Sequence, residues 1–185
     1  MFKLQFMKIL RALFSLLLAG FLLSGCNSGK SWRTASRQSA GIAPDPSVTK
    51  EAVLHVYGAD TWGWRGWFAI HTWIAAKRTG ESSYTVYDVV GWRGYSGQSV
   101  MRITKDIPDR FWFGEKPKLI KEHRGEKVDK LIDAVENAAD VYPWKNTYNA
   151  FPGPNSNTFT AWIAKNVPAL ELDLPISALG SGYVN

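Results

Sequence analysis

Apolar and polar positions follow three rhythms along the chain, and each rhythm marks a different kind of segment. From Ala12 to Leu23 apolar residues run on with only Ser15 and Gly20 between them, a stretch shorter than the roughly 20 residues a spanning helix needs. Asn27 to about Ser47 has no apolar period and is rich in Ser, Gly, Ala and Pro, the composition of a flexible tether. Aromatic and β-branched residues then concentrate in Ala52–Tyr57, Trp67–Ala76, Tyr84–Trp92, Val100–Thr104 and Leu119–His123, with glycine and turn residues between, which predicts five strands. A helical period follows: Val128, Leu131, Ile132, Val135 and Ala139 share one stripe and stop before Pro143. A second helix carries Phe159, Trp162 and Ile163 on one stripe, opens at the turn Pro152–Asn157 and ends by Pro168. Strands first and helices last predict an α+β fold, an antiparallel sheet of about five strands with two helices packed on one face.

The apolar run changes meaning once its flanks are read. Lys3, Lys8 and Arg11 precede it and Leu23-Ser24-Gly25-Cys26 closes it, the order of parts in a secretory leader. The closing tetrapeptide resembles the bacterial lipobox. That resemblance implies lipid attachment at Cys26, cleavage before it, and anchorage to an envelope membrane. The alternative is an uncleaved apolar anchor with an incidental cysteine. Asn27 after the cysteine favours the outer membrane, with the protein facing the periplasm. The expected organisation is a leader over residues 1–25, a lipidated tether over 26–47 and a single globular domain over 48–185. The formal charge of +6 shrinks when the leader is removed: of 22 basic residues 19 remain against 16 acidic ones. An excess near +3 is too small to point to nucleic acid. The expected partner is the membrane, through the lipid on Cys26, together with an envelope peptidoglycan, other glycan or lipid. Cys26 is the chain's one cysteine, so the domain has no disulfide and no thiol nucleophile.

Two segments outside these rhythms carry candidate chemistry. Gly63-Trp64-Arg65-Gly66 recurs as Gly91-Trp92-Arg93-Gly94, and two similar strand-end turns explain the echo better than a structural repeat does. In the first of them, Trp64, Arg65 and Trp67 are candidate binding residues, since flat rings beside a guanidinium stack on sugars or hold an acidic group. His55, His71 and His123 are the only histidines and show no close pairing, so no metal site is expected, and no cofactor.

The other segment joins His71, on a predicted strand, to Ser156, at a predicted helix start. A serine there lies beside free backbone N–H groups, and a histidine brought alongside would take its proton. His71-Thr72-Trp73-Ile74-Ala75 and Gly153-Pro154-Asn155-Ser156-Asn157-Thr158-Phe159 resemble an uncharacterised bacterial family, domain of unknown function 3750. The order of a histidine on an early strand, further strands and a late Asn-nucleophile helix start is similar to that of circularly permuted papain-like proteins, relatives of NlpC/P60 peptidases and lecithin retinol acyltransferase. That second resemblance implies a catalytic pair, His71 and Ser156, with Asn155 and Asn157 as neighbouring binding residues. Serine stands where those proteins have cysteine, and an alkoxide does not form near neutral pH as a thiolate does. Ser156 also suits a plain helix cap. Tyr84, Tyr87 and Asp88 are the candidates to orient the imidazole. Two functions therefore stay open: a non-catalytic envelope binding protein, which the missing cysteine favours, and an acyl-transfer or amide hydrolase acting on an envelope polymer or lipid.

Overall fold

Five strands, β1 (Val53–Asp60), β2 (Ile70–Lys77), β3 (Thr85–Val89), β4 (Met101–Lys105) and β5 (Lys118–Arg124), form one antiparallel sheet in the order β4-β3-β2-β1-β5. Two helices follow, α1 (Val128–Asp140) and α2 (Ser156–Asn166), and both cover the same face of the sheet. The expected α+β class and layer order are observed. The structure is a computed structural model and describes residues 31–184; the leader and Cys26 lie outside the described residues.

Period-two alternation sorts the strands onto two cores. Leu54, Val56, Ile74, Ala76, Tyr87 and Val89 face the helices and meet Ile132, Val135, Phe159 and Ile163. Val53, Tyr57, Trp73, Ala75 and Val86 face the other way and pack with Trp112. With both faces covered, β1 and β2 read as nearly continuous apolar runs rather than as polar–apolar alternation.

That second face is covered by irregular chain, which corrects the expected tether. Residues 31–35 make a turn of their own, the Ala35 N–H donating to the Ser31 carbonyl at 2.9 Å, and a separate unit begins at Ser36. In that unit residues 36–47 are not free. Ser39 bridges to Arg110, the Phe111 N–H donates to the Gln38 carbonyl at 2.8 Å, and the Tyr84 hydroxyl donates to the Pro44 carbonyl at 3.1 Å. Buried Asp109 gathers the arm, accepting from Ser39 Oγ (2.8 Å), Ile42 N (2.6 Å) and Ala43 N (3.1 Å). The physical cause is a carboxylate some 70 residues downstream, which local composition does not reveal. Asp109→Ala is expected to cost about 2 kcal/mol, less than three charge-assisted bonds would suggest, because a detached arm regains water. Urea unfolding and amide exchange at Ile42 and Ala43 check this; unchanged exchange there would show that Asp109 does not hold the arm.

A second difference concerns Trp67–Ala69, expected in β2. The N–H groups of Phe68 and Ala69 both return to the Arg65 carbonyl, so Gly63–Trp67 curls into a 3₁₀ turn and the strand starts at Ile70. Trp92 likewise leaves the third strand for a 3₁₀ turn over Gly91–Ser96. Both turns lie at one end of the sheet, where β1 and β3 stop and β2 and β4 start.

Candidate functional site

His71 and Asp88 point to the same face, the one that carries Trp73 and Val86. Asp88 is fully buried. Its Oδ1 lies 2.9 Å from His71 Nε2, and its Oδ2 accepts from Arg110 Nη2 at 2.7 Å, with Arg102 Nη2 at 3.7 Å. Burial works against the charge on Asp88, but the opposing field of His71, Arg110 and Arg102 is stronger and holds its pKa below the usual carboxylate value. An ionised carboxylate only accepts, so His71 Nε2 carries the proton and donates it. Nδ1 is then the ring nitrogen that makes no hydrogen bond among the described residues. The imidazole lies flat on Trp112, with centroids 3.5 Å apart and planes at 5°. Of the three candidates to orient the ring, Asp88 is the one bonded to it; Tyr84 donates to the Pro44 carbonyl and Tyr87 to Glu136. The other histidines stand elsewhere, His55 between Tyr57 and Glu122, and His123 on the Leu170 carbonyl.

Ser156 is not brought to this histidine. It is the first residue of α2, capped by Asn155. The Thr72 hydroxyl lies 2.9 Å from both Asn157 Oδ1 and Thr160 Oγ1, so α2 sits against the face of β2 that carries Thr72. His71, the preceding residue, projects to the opposite face, where Trp112 covers it. Thr160 is one turn beyond Ser156 on the same helix stripe, which leaves the sheet between Ser156 and the imidazole. Beyond Ser156, the N–H groups of the first helical turn are also occupied. Asn155 Oδ1 accepts from the N–H groups of Asn157 (2.9 Å) and Thr158 (3.0 Å), and the Phe159 N–H donates to the Asn155 carbonyl. Asn155 and Asn157 are themselves buried; their side-chain amides donate to Ala150, Ile70 and Leu179 carbonyls. They staple α2 to β2 and the C-terminal segment.

The other candidates, Trp64, Arg65 and Trp67, are exposed on the first 3₁₀ turn. The Arg65 guanidinium lies 5.4 Å over the Trp64 ring. The second turn carries Trp92 and Tyr95, and neither turn buries any residue. The turns meet through Phe113, which contacts Trp62 at 6.3 Å and Trp92 at 5.6 Å. Tyr148 lies beside the second turn. Its ring lies against Gly91, where an added Cβ would come within 2.5 Å of it. Burial raises the Tyr148 pKa, the nearby Asp88 and Tyr95 add to the effect, and Arg65 opposes it. The repeat of Gly-Trp-Arg-Gly was the available signal that Trp92 belongs with Trp64. Arg110 and Trp112 lie in irregular chain, and no sequence period marks them.

A family model described as "Protein of unknown function (DUF3750)" matches residues 51–183, a span that takes in the whole sheet, both helices and both turns. No curated protein and no solved structure matches the chain. The chain belongs to this family of unknown function, and the sheet end with its two Gly-Trp-Arg-Gly turns lies within the matched region.

Proposed function

We propose that this chain is a membrane-anchored envelope lipoprotein whose folded domain is a non-catalytic binding module, with its binding surface at the sheet end that carries the two 3₁₀ turns. The anchorage rests on the leader and on Leu23-Ser24-Gly25-Cys26. Among the described residues no helix is long and apolar enough to cross a membrane. The binding role rests on one observation above others: both turns hold large aromatic rings beside arginines and bury none of them. Removing that much apolar surface from water favours association, and folding alone gives no reason for its exposure.

A second reading, acyl transfer or amide hydrolysis by Ser156 and His71, draws on the Asp88–His71 bond, the arrangement of a general base and its orienting group. Against it stand the sheet between the two residues and the occupied amides at the start of α2. A permuted papain-like scaffold agrees with the order of the elements and disagrees with the direction in which His71 points.

One experiment separates the readings. The protein is incubated with washed envelope fragments, and both retention and release of acyl or amino groups are measured. Trp64→Ala/Trp92→Ala is expected to weaken retention about ten-fold with an unchanged melting temperature, while Ser156→Ala retains wild-type binding. Retention that ignores the tryptophans would sink the binding surface. Turnover abolished by both Ser156→Ala and His71→Ala would establish the hydrolase instead.

A further inference from the structure

We infer that the ligand of the aromatic end is the anionic bilayer surface itself, so that the domain docks on the membrane with its two 3₁₀ turns down. This deepens the reading above and rests on it: the chain is anchored, and the turns are its binding surface.

Exposed rings gather at one end of the domain. Trp64, Trp67, Phe68, Trp92, Tyr95 and Ile176 are all exposed and all lie where β2 starts. The two turns connect there, and Ser177, next to Ile176, accepts the Ile70 N–H at 3.0 Å. The opposite end carries ions: Arg124 with Glu51, Arg78 with Asp133 and Glu136, and Lys105 with Glu81. A freely tumbling domain gains nothing from this segregation. A domain resting on lipid does, because tryptophan and tyrosine favour the headgroup level, where the ring is apolar and its polar edge stays wet.

Shape favours a surface over an enclosed ligand. Small-molecule sites are hollows of roughly 300–1,000 Å³ that bury most of the ligand, and the hollow beside Trp67 and Phe68 is about 240 Å³. Here Trp67 is 90% exposed, Tyr95 94% and Ile176 98%; they stand out from the surface, as suits insertion between headgroups.

Chain length and charge point the same way. Ser36 enters at the aromatic end: its carbonyl accepts the Gly114 N–H at 3.0 Å, and Arg37 lies 4.5 Å over Phe113, the ring that Trp62 and Trp92 both meet. Ser36 follows Cys26 by ten positions, which limits their separation to about 35 Å. A tether from a lipid on Cys26 therefore joins the domain at this end rather than at the ionic one. Lys30 and Arg33 in the connecting stretch, and Arg37 and Arg65 at the domain's edge, match anionic headgroups, to which clustered cations are drawn. Trp-Arg occurs at Trp32-Arg33 and Trp64-Arg65, where the guanidinium lies over an exposed ring, and at Trp92-Arg93, where Arg93 donates to the Ser99 carbonyl.

The test uses the full mature chain, reconstituted into phosphatidylethanolamine–phosphatidylglycerol vesicles with or without brominated acyl chains. A Trp32→Phe background removes the tryptophan of the connecting stretch. Flotation reads the anchor, and bromine quenching of tryptophan emission reads the docked face. Docking predicts strong quenching that falls at least about three-fold in Trp64→Phe/Trp67→Phe/Trp92→Phe, because, of the five tryptophans that remain, Trp73 and Trp112 are buried and Trp62, Trp144 and Trp162 are half-buried. The variant should float as well as its parent. Quenching that is absent, or equal in the two proteins, overturns the inference. If the chain fails to float, the anchoring reading falls, and docking is judged by adding the unlipidated chain to the same vesicles. At least about ten-fold tighter binding than Trp64→Ala/Trp67→Ala supports docking, and equal binding overturns it. Cosedimentation with isolated peptidoglycan that depends on Trp64 and Trp67 assigns the surface to glycan and also overturns it.

Discussion

Replacing Asp88 by asparagine is expected to remove about 3–5 kcal/mol of stability near neutral pH, because it leaves the buried Arg110 without its counter-charge. Asp88 is fully buried, Arg110 is buried beside it, and its two oxygens are taken by His71 and Arg110. Asparagine keeps the shape and one acceptor oxygen. It sets an NH₂ donor against either the guanidinium or the imidazole, both of which donate. The nearest remaining carboxylate is Asp106, 3.4 Å from Arg110 Nη1 and 3.0 Å from Arg102 Nη2. It lies at the edge of the cluster and does not reach His71 in Asp88's place.

The same bond sets a pH dependence with a fixed sign. The folded-state pKa of Asp88 lies below its unfolded value, so its contribution is complete above the unfolded pKa. It is lost as pH falls from the ordinary carboxylate value, about 4, through the depressed folded one. The wild type should therefore lose its advantage over Asp88→Asn progressively in acid, and urea unfolding at neutral and acid pH measures the difference. A cost below about 1 kcal/mol, or a gap that does not narrow in acid, would mean that the ion cluster does not stabilise the fold.

The parts of the fold that were legible are those whose energy is local. The α1 stripe of Val128, Leu131, Ile132, Val135 and Ala139 is buried as its period requires, and alternation along Tyr84–Val89 places Asp88 and Tyr87 on opposite faces, as they are. Two kinds of information were not local. The arm 36–47 reads as tether because its own residues are small and polar; Asp109 orders it, and nothing near residue 40 announces that. The pairing of His71 with Ser156 failed on a finer point. The order of elements correctly brings α2 against β2, but a single residue along a strand reverses the face, and it is Thr72 that meets the helix. Aromatic richness likewise cannot separate core from surface. Trp73 is buried and Trp67 bare, and the difference lies in a 3₁₀ turn three residues before the strand.

Asn155 carries the second large effect, and two substitutions divide it. Its Oδ1 caps α2 by accepting from Asn157 N and Thr158 N, while Nδ2 donates to the carbonyls of Ala150 and Leu179, both at 3.0 Å. Asn155→Ala removes these four bonds and a longer one from Thr158 Oγ1 at 3.3 Å. A lost cap costs roughly 1 kcal/mol, and each part-buried carbonyl left without a donor adds about 1–3 kcal/mol to the extent that water cannot reach it. The Leu179 carbonyl retains Asn157 Nδ2 at 2.9 Å, so one of the two penalties is softened, and about 3 kcal/mol in total is expected. Asn155→Asp keeps both cap bonds and adds a negative charge at the positive end of the helix, a favourable place for it. It also turns an oxygen toward two carbonyls that need donors, in a buried setting where repulsion is poorly screened. The aspartate variant should therefore fall between the wild type and alanine at neutral pH, and it should recover in acid once the carboxyl is protonated and can donate again. Urea unfolding of the three proteins across the acid range decides the matter. An aspartate variant as stable as wild type at neutral pH would mean that the cap alone stabilises this corner and that the staple from α2 to the C-terminal segment contributes nothing.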